Sequence, residues 1–128
     1  MAKRDPANKK IYVIIGGGPA GLSAAYQLRK LGHESVVFDS HEKLGGMMRY
    51  GIPSYRTPDS FLDPEIDRIL AMGNIEVKLN TYIGKDVSAE SLEKDYDAVL
   101  WAIGCWTGRD LPVPNSDAPN CISAIQYL

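Results

Sequence analysis

Residues 11–39 leave little freedom in how this chain can fold. Ile11-Tyr12-Val13-Ile14-Ile15 is a continuous apolar run rich in β-branched residues. Such a run fits a strand buried on both faces, as in a parallel sheet. Gly16-Gly17-Gly18-Pro19-Ala20-Gly21 follows at once. Leu22, Ala25, Leu28 and Leu31 then recur at helical spacing, and Gly32 stands where a helix C-terminal glycine belongs. Ser35-Val36-Val37-Phe38 is a second short apolar strand, ending on Asp39. The segment therefore reads as one βαβ unit. Gly16, Gly18 and Gly21 form G-x-G-x-x-G in its meaningful context: a strand before, a helix after, and an acidic residue about 20 positions further on.

Each residue in that loop has a physical task. Gly16 permits the tight turn off the strand, and Gly18 lets a pyrophosphate approach a backbone with no Cβ. Gly21 allows the helix to pack closely on the strand. The helix N-terminus, from Pro19 and Ala20 onward, presents N–H groups and partial positive charge to phosphates. Asp39 can accept hydrogen bonds from ribose hydroxyls, and its charge would repel a 2′-phosphate, so this site is not expected to hold NADP. A glycine-rich turn that binds nothing is the plain alternative.

NAD and FAD share an ADP half, and the fingerprint does not separate them. The next segment bears on the choice. Ser40-His41-Glu42-Lys43-Leu44-Gly45-Gly46 brings a second glycine pair directly after Asp39. FAD lies extended, and the chain after the second strand crosses its pyrophosphate and ribityl, where residues without Cβ permit contact. An ordinary turn pair is the other reading.

The remainder continues the alternation. Residues 40–58 read as a long loop punctuated by Gly45, Gly46, Gly51, Pro53 and Pro58, and loops of that length are usually functional. Residues 59–73 read as a helix with an apolar stripe of Phe61, Leu62, Ile66, Ile69 and Leu70, in which Pro64 fits only near the first turn. Ile75, Val77 and Leu79 alternate with polar residues as a strand does. Ser88 can cap a short helix running to about Asp95. Asp97-Ala98-Val99-Leu100-Trp101-Ala102-Ile103 reads as another buried strand, with Trp101 in the core. Residues 105–120 read as loop, and 122–128 begin to look helical. The pattern predicts an α/β fold: a Rossmann-like parallel sheet with flanking helices. Residues 1–10 read as leader or linker and 11–128 as the domain.

Composition excludes other classes. A net charge of −2 over 128 residues gives no electrostatic footprint for nucleic acid or an anionic membrane. No apolar run approaches the ~20 residues of a membrane span. Two cysteines, Cys105 and Cys121, are too few for a disulfide scaffold or an all-cysteine metal site.

The stretch Val13 to Gly46 resembles the dinucleotide-binding domain of FAD-dependent pyridine nucleotide oxidoreductases. Gly45-Gly46-Met47-Met48-Arg49-Tyr50-Gly51-Ile52-Pro53 is similar to the G-G-x-x-R-Y-G-I-P stretch of the glutamate synthase small (β) subunit and its relatives, among them the FAD part of dihydropyrimidine dehydrogenase. Tyr96-Asp97-Ala98-Val99-Leu100-Trp101-Ala102-Ile103-Gly104 resembles the Y-D-A-V-(V/L)-x-A-T-G strand of that group. Arg109-Asp110-Leu111-Pro112-Val113-Pro114 resembles the R-x-L-x-I-P that follows.

The resemblance implies FAD contacts. Gly18, Pro19, Ala20 and Gly21 would line the pyrophosphate and Asp39 would hold the adenosine ribose. Lys43, Gly45, Gly46 and Met47 would run along the ribityl. Arg56 would reach a phosphate, and the backbone of Val87 would meet the adenine. Ala102, Ile103 and Gly104 would approach from the other side. Asp39 departs from the commoner Glu, Ile103 from the usual Thr, and Asn115 from the Gly often found after the second proline.

The family also has a second Rossmann unit for NADPH and a C-terminal segment that completes the flavin pocket. The chain thus reads as the N-terminal, incomplete part of the FAD domain, with little or no catalysis on its own. By the same resemblance, electrons pass from NADPH through FAD to an acceptor. An iron–sulfur or large catalytic subunit is the implied partner and the cytoplasm the implied location. A plain NAD-dependent dehydrogenase domain, a non-catalytic nucleotide-binding or assembly module, and an amine-oxidase-like flavoenzyme are the rivals. No general acid or base stands out. His33 reads as a helix-end or exposed residue, His41 as a surface residue beside the cofactor segment, and Cys105 as an ordinary thiol without a partner at C-x-x-C spacing. Trp106 and Tyr50 either flank the flavin or simply pack.

Overall fold

The computed structural model describes residues 10–128. The predicted leader therefore falls, save for Lys10, outside the described residues. The strands are β1 (Ile11–Ile15), β2 (Glu34–Phe38), β3 (Ile75–Lys78) and β4 (Ala98–Trp101). They form one parallel sheet in the order β3-β2-β1-β4. The helices are α1 (Pro19–Leu31), α2 (Met47–Tyr50), α3 (Asp59–Leu70), α4 (Ala89–Asp95) and α5 (Ala124–Tyr127). This is the predicted Rossmann-like arrangement.

Strand alternation divides the core between two faces. Ile14 and Val37 point to one face and pack with Leu22 and Ala25 of α1, Leu44, and Leu62 and Ile66 of α3. Val13, Ile15, Val36 and Phe38 point to the other and pack with Leu92 of α4. Both central strands are thus buried on both faces, as their unbroken apolar runs require.

The caps follow from local chemistry. Gly32 ends α1 at φ +99°, and its N–H reaches the carbonyls of Leu28 and Arg29. Ser88 starts α4 by accepting a hydrogen bond from the Ser91 N–H at 3.1 Å. Arg29 and Lys30 sit in the last turn of α1, where cations suit the helix dipole.

Several expectations change. Trp101 is not core: it is 50% exposed, on a strand at the edge of the sheet that pairs, among the described residues, with β1 alone. Leu100 on the same strand is also exposed, and the strand predicted over 97–103 ends at Trp101, which leaves Ile103 exposed in the loop that follows. Phe61 and Leu31 drop out of their helical stripes and face solvent. The helix predicted over 59–73 ends at Leu70, and Pro64 lies inside it, beyond the first turn. The long loop is broken by the single turn of α2. His33 keeps its expected place at the end of α1, its N–H donating to the Leu28 carbonyl at 3.0 Å, and its ring lies edge-on to Tyr12 with centroids 5.2 Å apart. Among the described residues, no helix is long and apolar enough to cross a membrane.

Candidate cofactor site

A cleft of about 900 Å³ opens at the C-terminal ends of β1, β2 and β4. This is where ligands bind in open parallel α/β sheets, outside the carboxyl ends of the strands. Of the residues predicted from the sequence, Gly16, Gly18, Pro19, Ala20, Asp39, Gly46, Met47, Ala102, Ile103 and Gly104 line it. They come from three separate loops, brought together by the parallel register of β1 with β2 and β4.

The glycine loop is shaped by close approach. A Cβ on Gly16, at φ +111°, would overlap the Ala102 carbonyl. Gly18 faces open space on its Cβ side apart from the Cα of Gly46 at 3.5 Å, so no side chain stands between the two glycine runs. α1 begins here without a side-chain cap, and Pro19 occupies its first turn. The first-turn N–H groups of a helix lack intrahelical acceptors, so this end is suited to an anion.

Asp39 is 8% exposed and anchors two loops. Its Oδ2 accepts a hydrogen bond from the Gly17 N–H at 2.8 Å, and its Oδ1 accepts one from the His41 N–H at 2.8 Å. The Nδ1 of His41 lies 3.0 Å from the same Oδ1. Asp39 lines the cleft, and a carboxylate is an acceptor-only group with capacity for more than one donor per oxygen.

Five predicted positions do not line the cleft. Gly21 lies in the first turn of α1, where a Cβ would overlap the Gly16 carbonyl, so its lack of a side chain lets the helix pack closely on the strand. Gly45 is buried behind the wall, its N–H donating to the Gly17 carbonyl at 2.8 Å. Lys43 is exposed. Arg56 is exposed on the loop before α3, away from the cleft. Val87 sits behind the wall, bridged to Ile83, which does line the cleft.

Other residues were not legible as site residues. Thr81, Tyr82 and Ile83 form one wall, and Phe38 contributes to the floor. His41 is a correction: it is a cleft residue, not merely a surface one. Its ring stacks on Trp106 at 4.5 Å and lies 4.6 Å from Tyr50. Trp106 lines the cleft, while Tyr50 supports the stack from outside it. The stack joins loops from distant parts of the chain, so no local signal announces it. Cys105 and Cys121 are free and exposed, and neither lines the cleft.

A family model described as an NAD(P)-binding Rossmann-like domain matches residues 14–62. The glutamate synthase [NADPH] small chain of Mycobacterium tuberculosis is 38% identical over 115 residues, covering 90% of this chain and 23% of the relative. The chain is a homologue of the glutamate synthase small chain. The NADP(+)-dependent formate dehydrogenase subunit beta of Moorella thermoacetica is 45% identical over 111 residues, covering 87% of this chain and 15% of that protein. These relatives bear out the resemblance drawn from the motifs. The chain spans about a quarter or less of the length of the glutamate synthase small chains and their relatives. Among solved structures, FprA from Mycobacterium tuberculosis superposes with a TM-score of 0.86 at 23% identity, covering 94% of this chain and 28% of FprA. At that identity the superposition establishes the fold, and it agrees with the parallel sheet read from the sequence.

Proposed function

We propose that the cleft binds the ADP half and ribityl of FAD, and that this chain is the FAD-binding part of an NAD(P)H-dependent flavoprotein oxidoreductase. The observation that carries the reading is the apposition of Gly18 and Gly46. The two glycine runs form one wall without side chains, beside an uncapped helix N-terminus. A single phosphate loop needs no second glycine run against it, whereas an extended dinucleotide crossing both loops does.

The residues fit the group. The first turn of α1, with Gly18, Pro19 and Ala20, would hold the pyrophosphate. Asp39, which lines the cleft, would accept from the ribose hydroxyls. Gly46 and Met47 on one side, and Ala102, Ile103 and Gly104 on the other, would confine the chain leading to the ring. His41 and Trp106 would cover the mouth and keep water from it. Bound flavin supplies the hydride and electron chemistry, and the protein supplies binding, orientation and electrostatics. Electrons would pass from NADPH, bound on a second unit, through FAD to an acceptor such as an iron–sulfur or large catalytic subunit. The names of the two relatives support an oxidoreductase that works with a partner chain.

A second reading is a plain nicotinamide dinucleotide site, which the description of the matching family model favours. The test is a titration of the chain with FAD, followed by flavin fluorescence, beside titrations with NADH and NADPH. Saturable quenching by FAD, with weaker binding of both nicotinamides, is expected. NADH binding without FAD binding would overturn the proposal in favour of the second reading. The Asp39 charge predicts that NADPH binds this cleft more weakly than NADH does.

A further inference from the structure

Arg49 is not among the residues that line the cleft, yet its guanidinium is held by three partners. Its side chain is only 7% exposed. The Nε donates to the Leu44 carbonyl at 2.6 Å. Nη2 donates to Asp63 of α3, and Nη1 lies 3.0 Å from Asp59 at the start of that helix. Burial disfavours the guanidinium charge, but the hydrogen bond to Asp63 and the charges of Asp63 and Asp59 outweigh it and raise the pKa above the usual arginine value. The group is thus a fixed cation with a fixed direction.

What it holds is the second glycine run. The Leu44 carbonyl on Nε immediately precedes Gly45, whose N–H donates to Gly17. Gly45 and Gly46 sit at φ +126° and φ +55°, and a Cβ on Gly46 would come within 2.7 Å of the Gly18 Cα. A path of direct contacts therefore runs from α3 through Arg49 to the Leu44–Gly46 turn, and on to Gly17 and Gly18. A guanidinium spreads its donors over three nitrogens in a planar fork and so reaches the carbonyl and both carboxylates in fixed directions, a span that the single nitrogen of a lysine does not match.

We infer that Arg49, gripped by Asp59 and Asp63, is a positioning residue that presses the Gly45–Gly46 turn onto the phosphate loop and so sets the spacing of the cofactor wall. This rests on the reading of the cleft as a dinucleotide site, but part of its test does not.

The first measurement needs no ligand. Amide hydrogen exchange is recorded on the whole chain and on Arg49→Gln, Arg49→Lys and Asp63→Asn. In Arg49→Gln the Gly45 amide should exchange about tenfold faster or more, while the strand amides of Ile14 and Val37 stay protected. Unchanged Gly45 protection would overturn the inference. The second measurement compares FAD with AMP, which lacks the pyrophosphate and the ribityl. Arg49→Gln should weaken FAD by about tenfold or more and AMP by less than about twofold, the loss expected when a supporting residue lets a site loosen. Arg49→Lys and Asp63→Asn, which keep the cation, should fall between wild type and Arg49→Gln. Equal losses for FAD and AMP would mean general destabilisation and would overturn the inference. A wild-type chain that binds neither FAD nor AMP would overturn the dinucleotide reading, while the exchange result would still decide the role of Arg49.

Discussion

Asp39 ties two loops together with one carboxylate. The Gly17 N–H approaches one oxygen and the His41 N–H the other, each at 2.8 Å. Two donors converging on two oxygens demand two acceptors. Asparagine has only one, and would set its NH2 against an N–H. Hydrogen bonds to a charged group contribute about 1.5–3 kcal/mol each. Asp39→Ala should therefore destabilise the fold by about 2–3 kcal/mol in denaturant unfolding, since the His41 bond is only partly buried. Asp39→Asn should recover part of that loss, and full recovery would show that one of the two bonds contributes nothing. The sequence points to Asp39 as a ribose acceptor because of its place after the second strand. Its second task, holding the glycine loop, was not legible, since it depends on where the Gly17 amide turns.

At the level of elements, α3 contains its own flaw. Pro64 lies inside the helix, where it offers no N–H to the Ser60 carbonyl and its ring crowds that oxygen. Pro64→Ala should stabilise the chain by about 1–3 kcal/mol, read as a rise in thermal midpoint. A fall would mean that Pro64 helps seat Asp59 and Asp63 around Arg49. The same helix shows what the sequence withholds. The β1-α1-β2 unit was legible because its signals are local: β-branched runs, glycines at turns, a glycine at the helix end. The task of Arg49 was not, because its partners arrive only when α3 packs beside α2. The stack of His41 with Trp106 is hidden for the same reason, as its two loops meet only once β1 lies between β2 and β4.

For the whole molecule, the exposed flank of β4 matters most. Leu100 and Trp101 stand half in solvent on opposite faces of an edge strand. An edge with unpaired backbone groups and apolar side chains is a template for pairing with another chain. The chain is expected to self-associate as its concentration rises, and Leu100→Lys should suppress this at a cost of about 1 kcal/mol or less. Light scattering across a concentration series checks both. The apolar run through Trp101 reads as a buried strand because sequence records hydrophobicity and not which strand lies outermost. The contact of Gly18 with Gly46 has a practical consequence at this scale. Anyone transplanting the phosphate loop into another parallel sheet would find that residues 16–21 are not a portable module. The graft has to carry the stretch from β1 through the first turns of α3, because one face of the loop is moulded by chain that comes later.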